Sequence, residues 1–144
     1  MYSALYWKGF FIKNLRVICI GNRFAYPDNF GILVYEKLKT LNLECEIIEG
    51  GVGGLSLLSY FEDNKKVLII DYAVNMPKII TKEEIKKIEI DEFSHANAFL
   101  YLLKIVENEY FIYSCNEKFD ENKIDKYIDE ILKVINDYTR YVNR

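Results

Sequence analysis

Glutamine is absent from this 144-residue chain; histidine and tryptophan occur once each, proline and methionine twice, cysteine three times. With a single histidine there is no H-E-x-x-H motif, the resident zinc motif of many metalloproteases. Cys19, Cys45 and Cys115 are odd in number and widely spaced, with neither C-x-x-C nor a zinc pattern. They read as reduced, mostly buried thiols of an intracellular, cytoplasmic protein. No G-x-S-x-G elbow occurs and no cysteine has an activating setting, which argues against a nucleophilic hydrolase. No G-x-x-x-x-G-K-[ST] occurs either, and "GGVGG" (50–54) lacks the G-x-G-x-x-G spacing of a dinucleotide site. The net charge of -3 lacks the basic excess that a nucleic-acid partner demands. The opening "MYSALYWKGFFIKN" has neither the apolar length of a membrane span nor the basic start of a signal peptide. Residues 1–13 are left as an extra edge strand, a docking arm or an N-terminal extension. Abundant Lys, Glu and Ile beside the missing Gln fit a thermophile, or AT-rich codon usage.

What is present is one domain's worth of chain, residues 1–144, with half its residues apolar and no repeat, linker or low-complexity tract. Apolar runs alternate with helical patterns. "LRVICI" (15–20), "LECEIIE" (43–49), "KKVLIID" (65–71) and "EYFIYSC" (109–115) read as strands. A helix is expected from about Asn29 to Leu41, with Phe30, Leu33, Val34, Leu38 and Leu41 on its buried stripe. "GGVGGLSLLSYF" (50–61) reads as a glycine turn entering a short helix; its glycines supply positive φ angles and close backbone approach. "SHANAFLYLLKIVE" (94–107) is apolar nearly all round and is expected to be well covered. Residues 120–142 carry the clearest amphipathic stripe, through Ile124, Tyr127, Ile128, Ile131, Ile135, Tyr138 and Val142, with Asp120 as N-cap. Between them, residues 72–93 hold a short strand near Lys78–Thr81 or Lys87–Ile90. The alternation predicts an α/β fold: a three-layer, twisted, mostly parallel sheet of about five strands with helices on both faces.

In such a sheet ligands collect at the carboxyl edge of the strands. Three ionisable residues map to that edge. Asp28 lies in the loop after the first strand, Asp71 closes "VLIID", and His95 opens the helix that begins near Ser94. Two carboxylates and an imidazole on one rim suit a divalent transition metal such as Ni, Zn or Fe. Each residue also has an ordinary explanation: Asp28 as a helix cap, Asp71 as a solvated strand end or a phosphate acceptor, His95 as a surface polar residue. A helix N-terminus does favour the neutral, ligand-competent imidazole.

The order of motifs "GNRFAYPDNFG", "EGGVGGLSLL", "VLIIDYA", "SHANAFLYLL" resembles the hydrogenase maturation endopeptidase family. That family carries G-N-x-L-x-x-D-[DE]-x-x-G, D-G-G-T-x-G-L-x-L-L, an I-x-D strand end and an S-x-H or S-H helix start. The resemblance spans about residues 15–115. It implies a phosphorylase/hydrolase-like α/β fold and places Asp28, Asp71 and His95 at the family's nickel-binding, catalytic positions. It further implies a monomeric, metal-assisted endopeptidase with aspartyl-protease-like carboxylates. Its work would be to remove the C-terminal extension of a [NiFe]-hydrogenase large-subunit precursor, with nickel arriving in the substrate. Other divalent cations would fit the same site in the isolated protein; no organic cofactor, nucleic acid or membrane is implied. Six positions depart from the family pattern: Pro27 replaces its first acid, Asn29 a glycine, Arg23-Phe24 the x-L, Glu49 an Asp and Val52 a Thr. Two other expectations stand beside this one: a non-catalytic flavodoxin-like binding or signalling module, and a family member that binds the hydrogenase subunit without cleaving it.

Overall fold

The computed structural model describes residues 14–89 and 98–138. Five strands form one sheet: β1 (Leu15–Cys19), β2 (Glu46–Glu49), β3 (Lys66–Tyr72), β4 (Ile79–Thr81) and β5 (Tyr110–Cys115). Their spatial order is β2-β1-β3-β5-β4. The first four in this order run parallel, and β4 is antiparallel to β5. The helices are α1 (Phe30–Lys39), α2 (Lys82–Lys86), α3 (Ala98–Ile105) and α4 (Ile124–Asn136), with 3-10 turns at Leu55–Phe61 and Glu121–Lys123.

Strand alternation explains how the chain divides its apolar residues. Leu15, Val17 and Cys19 of β1, Leu68 and Ile70 of β3, and Phe111 and Tyr113 of β5 enter one core with α1 and α4. Their odd-and-even neighbours Ile18, Val67, Ile69, Tyr110 and Ile112 enter a second core with the Leu55–Phe61 turn, α2 and α3. Both faces of the central strands are therefore covered, which is why these strands read as continuous apolar runs. In the first core Phe30 opens α1 and is fully buried. Phe119 and Tyr127 meet it edge-on at 5.1 and 5.3 Å, fixing where the preceding loop leaves the sheet.

Several expectations shift in detail. β2 starts at Glu46 rather than Leu43, so buried Cys45 lies just outside it. All three cysteines are free and buried, as read. The helix over 50–61 is a 3-10 turn. The short strand falls at Ile79–Thr81, one of the two places expected. Asp120 accepts from the Asn122 N–H and so caps a 3-10 turn ahead of α4. α3 is only half covered: Leu102 and Leu103 are buried against the sheet, while Tyr101 and Ile105 lie on its outer face, 56% and 58% exposed. Among the described residues nothing covers that side, so a helix that looks apolar all round presents Tyr101 and Ile105 outward. Residues 1–13, and the ends of the predicted helices at 94–97 and 139–142, lie outside the described residues.

Candidate metal-facing active site

The loop from Gly21 to Asn29 carries Asp28 off the carboxyl end of β1. Backbone contacts fix its path: Gly21 N–H donates to Gly51 O at 2.8 Å, and Asn22 N–H to Asp28 O at 2.9 Å. The Phe24 N–H donates to Asn22 Oδ1. Two glycines let the loop close. A Cβ on Gly31 would lie 1.9 Å from Ile20 O, and one on Gly21 would lie 2.7 Å from Asp28 O. These glycines therefore serve close approach of backbones, with no phosphate required.

Asp28 does not cap α1. The cap position belongs to Asn29, which makes no side-chain cap bond. The Tyr26–Pro27 peptide before it is cis, and the Tyr26 hydroxyl donates to Phe119 O. Arg23 spans the loop's outer side, donating to Glu36 on α1 at 2.9 Å and to Glu49 at the end of β2 at 2.8 Å. Two of the positions that depart from the family pattern, Arg23 and Glu49, are thus bonded to each other.

Asp71 occupies the penultimate position of β3, which runs one residue further than expected. Its Oδ1 accepts the Tyr72 N–H at 2.8 Å. Burial pushes its carboxyl up to about 6; the Tyr72 N–H opposes that rise and the negative charge of Asp28 adds to it.

Asp28 and Asp71 line one cleft of about 300 Å³, completed by Ile20, Gly21, Asn22, Val52 and Phe99. No lysine or arginine is among these walls. A larger cleft of about 480 Å³ opens at the opposite, amino edge between Phe61, Lys66, Val106 and Glu109. Asp63 there is paired with Arg16 at 2.8 Å, and Lys66 stands among the same walls as Glu62, Glu107 and Glu109. The smaller cleft is the one with the chemistry. Sequence reasoning missed its walls Asn22, Val52 and Phe99. Val52 lies on a glycine turn and Phe99 in the first turn of α3, and only the sheet order brings them together.

His95 lies outside the described residues; in sequence it is four residues ahead of Phe99, a wall of the cleft. Among the described residues no group of three or more His, Cys, Asp or Glu is placed to hold a metal. Two carboxylates lining one cleft with no lysine or arginine among its walls are nevertheless a donor set for a cation. No described helix is long and apolar enough to cross a membrane.

A family model described as hydrogenase maturation protease (HycI) matches residues 32–133. That range holds Asp71 and His95 and begins just after Asp28. Among solved structures, the hydrogenase maturating endopeptidase HybD from E. coli is similar, with a TM-score of 0.65 at 18% identity over 86% of this chain and 93% of that one. The [NiFe] hydrogenase maturation protease HycI from Thermococcus kodakarensis gives 0.61 at 18% identity, over 88% and 92%. The hydrogenase 2 maturation peptidase from Thaumarchaeota archaeon SCGC_AB-539-E09 gives 0.54 at 17%, over 84% and 97%. No curated protein matches the chain.

Proposed function

The chain belongs to the hydrogenase maturation protease family, and from that premise we propose that Asp28, Asp71 and His95 engage nickel carried by the precursor it cleaves. Family membership makes it a peptide-bond hydrolase that removes the C-terminal extension of a hydrogenase large-subunit precursor. Family membership sets aside the flavodoxin-like alternative.

The observation that carries the nickel reading is electrostatic. Asp28 and Asp71 share a cleft whose walls include no basic side chain, and the charge of one raises the pKa of the other. Two like charges held together are stabilised by a cation between them, and the precursor's metal is that cation. Nickel in the precursor polarises the scissile carbonyl or activates the attacking water. Water adds to the carbonyl carbon and the C–N bond breaks. The products are a new C-terminal carboxylate on the subunit and a released peptide with a free amine. Either carboxylate can take the water's proton. A precursor without nickel gives the acids nothing to bind, so metal insertion is checked before the cut.

The rim of the cleft fits a protein substrate. Phe24 is 93% exposed and Val52, itself a cleft wall, 77%. Val52 in the cleft wall and Phe24 on the loop that carries Asp28 are apolar side chains held out to solvent, and together they are our candidate ledge for the precursor segment flanking the cut. The reading is tested by cleavage of nickel-loaded precursor with Asp28→Asn, Asp71→Asn and His95→Ala. Each should lose more than about a hundredfold in rate, beyond what loss of a ligand's hydrogen-bond partner costs. Full activity in any one of them contradicts its assignment.

A further inference from the structure

Ser114 stands beside Asp71 in the sheet. The β3–β5 register pairs Asp71 with Ser114 and, two residues earlier, Ile69 with Ile112. Ile69 and Ile112 share the second core, so alternation puts Asp71 and Ser114 on that same face, on strands about 4.8 Å apart. Ser114 is 1% exposed. Its backbone is held from the other side, the N–H donating to Lys78 O at 2.8 Å. Its hydroxyl oxygen, however, has no hydrogen-bond partner among the described residues.

A buried hydroxyl left unpaired costs about 1–3 kcal/mol, and an alanine in its place would avoid that. The neighbours on this face, Ile69, Ile80 and Ile112, are apolar and accept nothing. Next along the sheet is the Asp71 carboxylate, whose Oδ1 is occupied by the Tyr72 N–H. Hydrogen-bond donors behind a metal-binding carboxylate fix its orientation, and their loss typically costs ten- to a hundredfold in affinity or activity.

We propose that Ser114 is a positioning residue: its hydroxyl donates to the Asp71 carboxylate when that group turns to the metal of the bound precursor, and so sets which oxygen faces the cleft. This rests on the reading above that Asp71 engages the precursor's nickel. The sheet supplies the precision, because Ser114 and Asp71 lie on adjacent, fully hydrogen-bonded strands rather than on loops.

The experiment compares wild type, Asp71→Asn, Ser114→Ala and Ser114→Cys on nickel-loaded precursor, with thermal melts of each protein. Ser114→Ala should melt at or above wild type, while kcat falls about ten- to a hundredfold and KM moves by less than about threefold. Ser114→Cys keeps the shape but has a weak donor, and should fall with alanine. Wild-type kcat in Ser114→Ala or Ser114→Cys, with Asp71→Asn inactive, overturns the proposal and leaves the nickel reading standing. A melting temperature that drops in step with activity also overturns it, since that marks a purely structural serine. Full activity in Asp71→Asn removes the nickel reading itself.

Discussion

Asp28 and Asp71 face one cleft from different elements, a loop and a strand, and the charge of the first helps hold the carboxyl of the second at about 6. Burial contributes most to that shift. The ligand-free protein thus keeps an acid under electrostatic tension where an ordinary aspartate would relax into water. Cation binding relieves that tension, which couples the stability of the apo protein to the chemistry of the site.

The first consequence concerns pH. The folded-state pKa of Asp71 is raised from 3.8 to about 6. Its proton-linked stabilisation is therefore full below the unfolded value and is lost as pH rises through 6. At pH 7–8 the charged carboxylate is a liability, so Asp71→Asn should be more stable than wild type there, by up to about 3 kcal/mol. Near pH 3 the two proteins should converge. Urea denaturation of the ligand-free proteins from pH 3 to 8 measures this; a wild type as stable as the variant at pH 8 contradicts it.

A second prediction separates two kinds of glycine. Gly31→Ala drives a Cβ to 1.9 Å from the backbone oxygen of Ile20, forcing α1 off the sheet at a cost of about 3 kcal/mol or more. Gly51 has φ +61° and open space around the missing Cβ. Gly51→Ala should cost only about 1–2 kcal/mol, the penalty for a left-handed residue. Urea midpoints of the two variants give the comparison, and equal losses would mean that the loop does not depend on the close approach.

The third prediction concerns the exposed rim. Phe24→Ala removes a side chain that is 93% exposed, so the melting temperature should not move. If the ledge receives the precursor, KM should rise roughly tenfold with kcat nearly unchanged, as for truncation of an interface anchor. Steady-state cleavage assays read both quantities. An unchanged KM would place the precursor elsewhere.

Much of this was legible in the chain because the physics is local. Runs such as Val67–Ile70 are apolar on both faces since both faces are covered, and α1 and α4 show their stripes plainly. The Asp28 and Asp71 positions followed from strand ends alone, because a parallel sheet gathers its loops at one edge. What stayed hidden depends on tertiary register. β4, three residues long, was too short to carry a period that would choose between its two expected places, and its antiparallel pairing with β5 was not legible at all. The exposed face of α3 is invisible in a sequence apolar on every side. Ser114 reads as one small residue in "EYFIYSC"; only its pairing with Asp71 gives it meaning, and pairing is set by the sheet order. The Arg23–Glu49 contact is similar: two separate departures from the family pattern become one interaction once β1 and β2 are neighbours.

The central claim is that the acids of this cleft read nickel in the precursor before the peptide bond is cut. Its most direct test is the mass of the large subunit after incubation with this protein, using nickel-loaded and nickel-free precursor side by side. The account predicts loss of the C-terminal extension from the loaded form alone. Equal cleavage of both forms would contradict it.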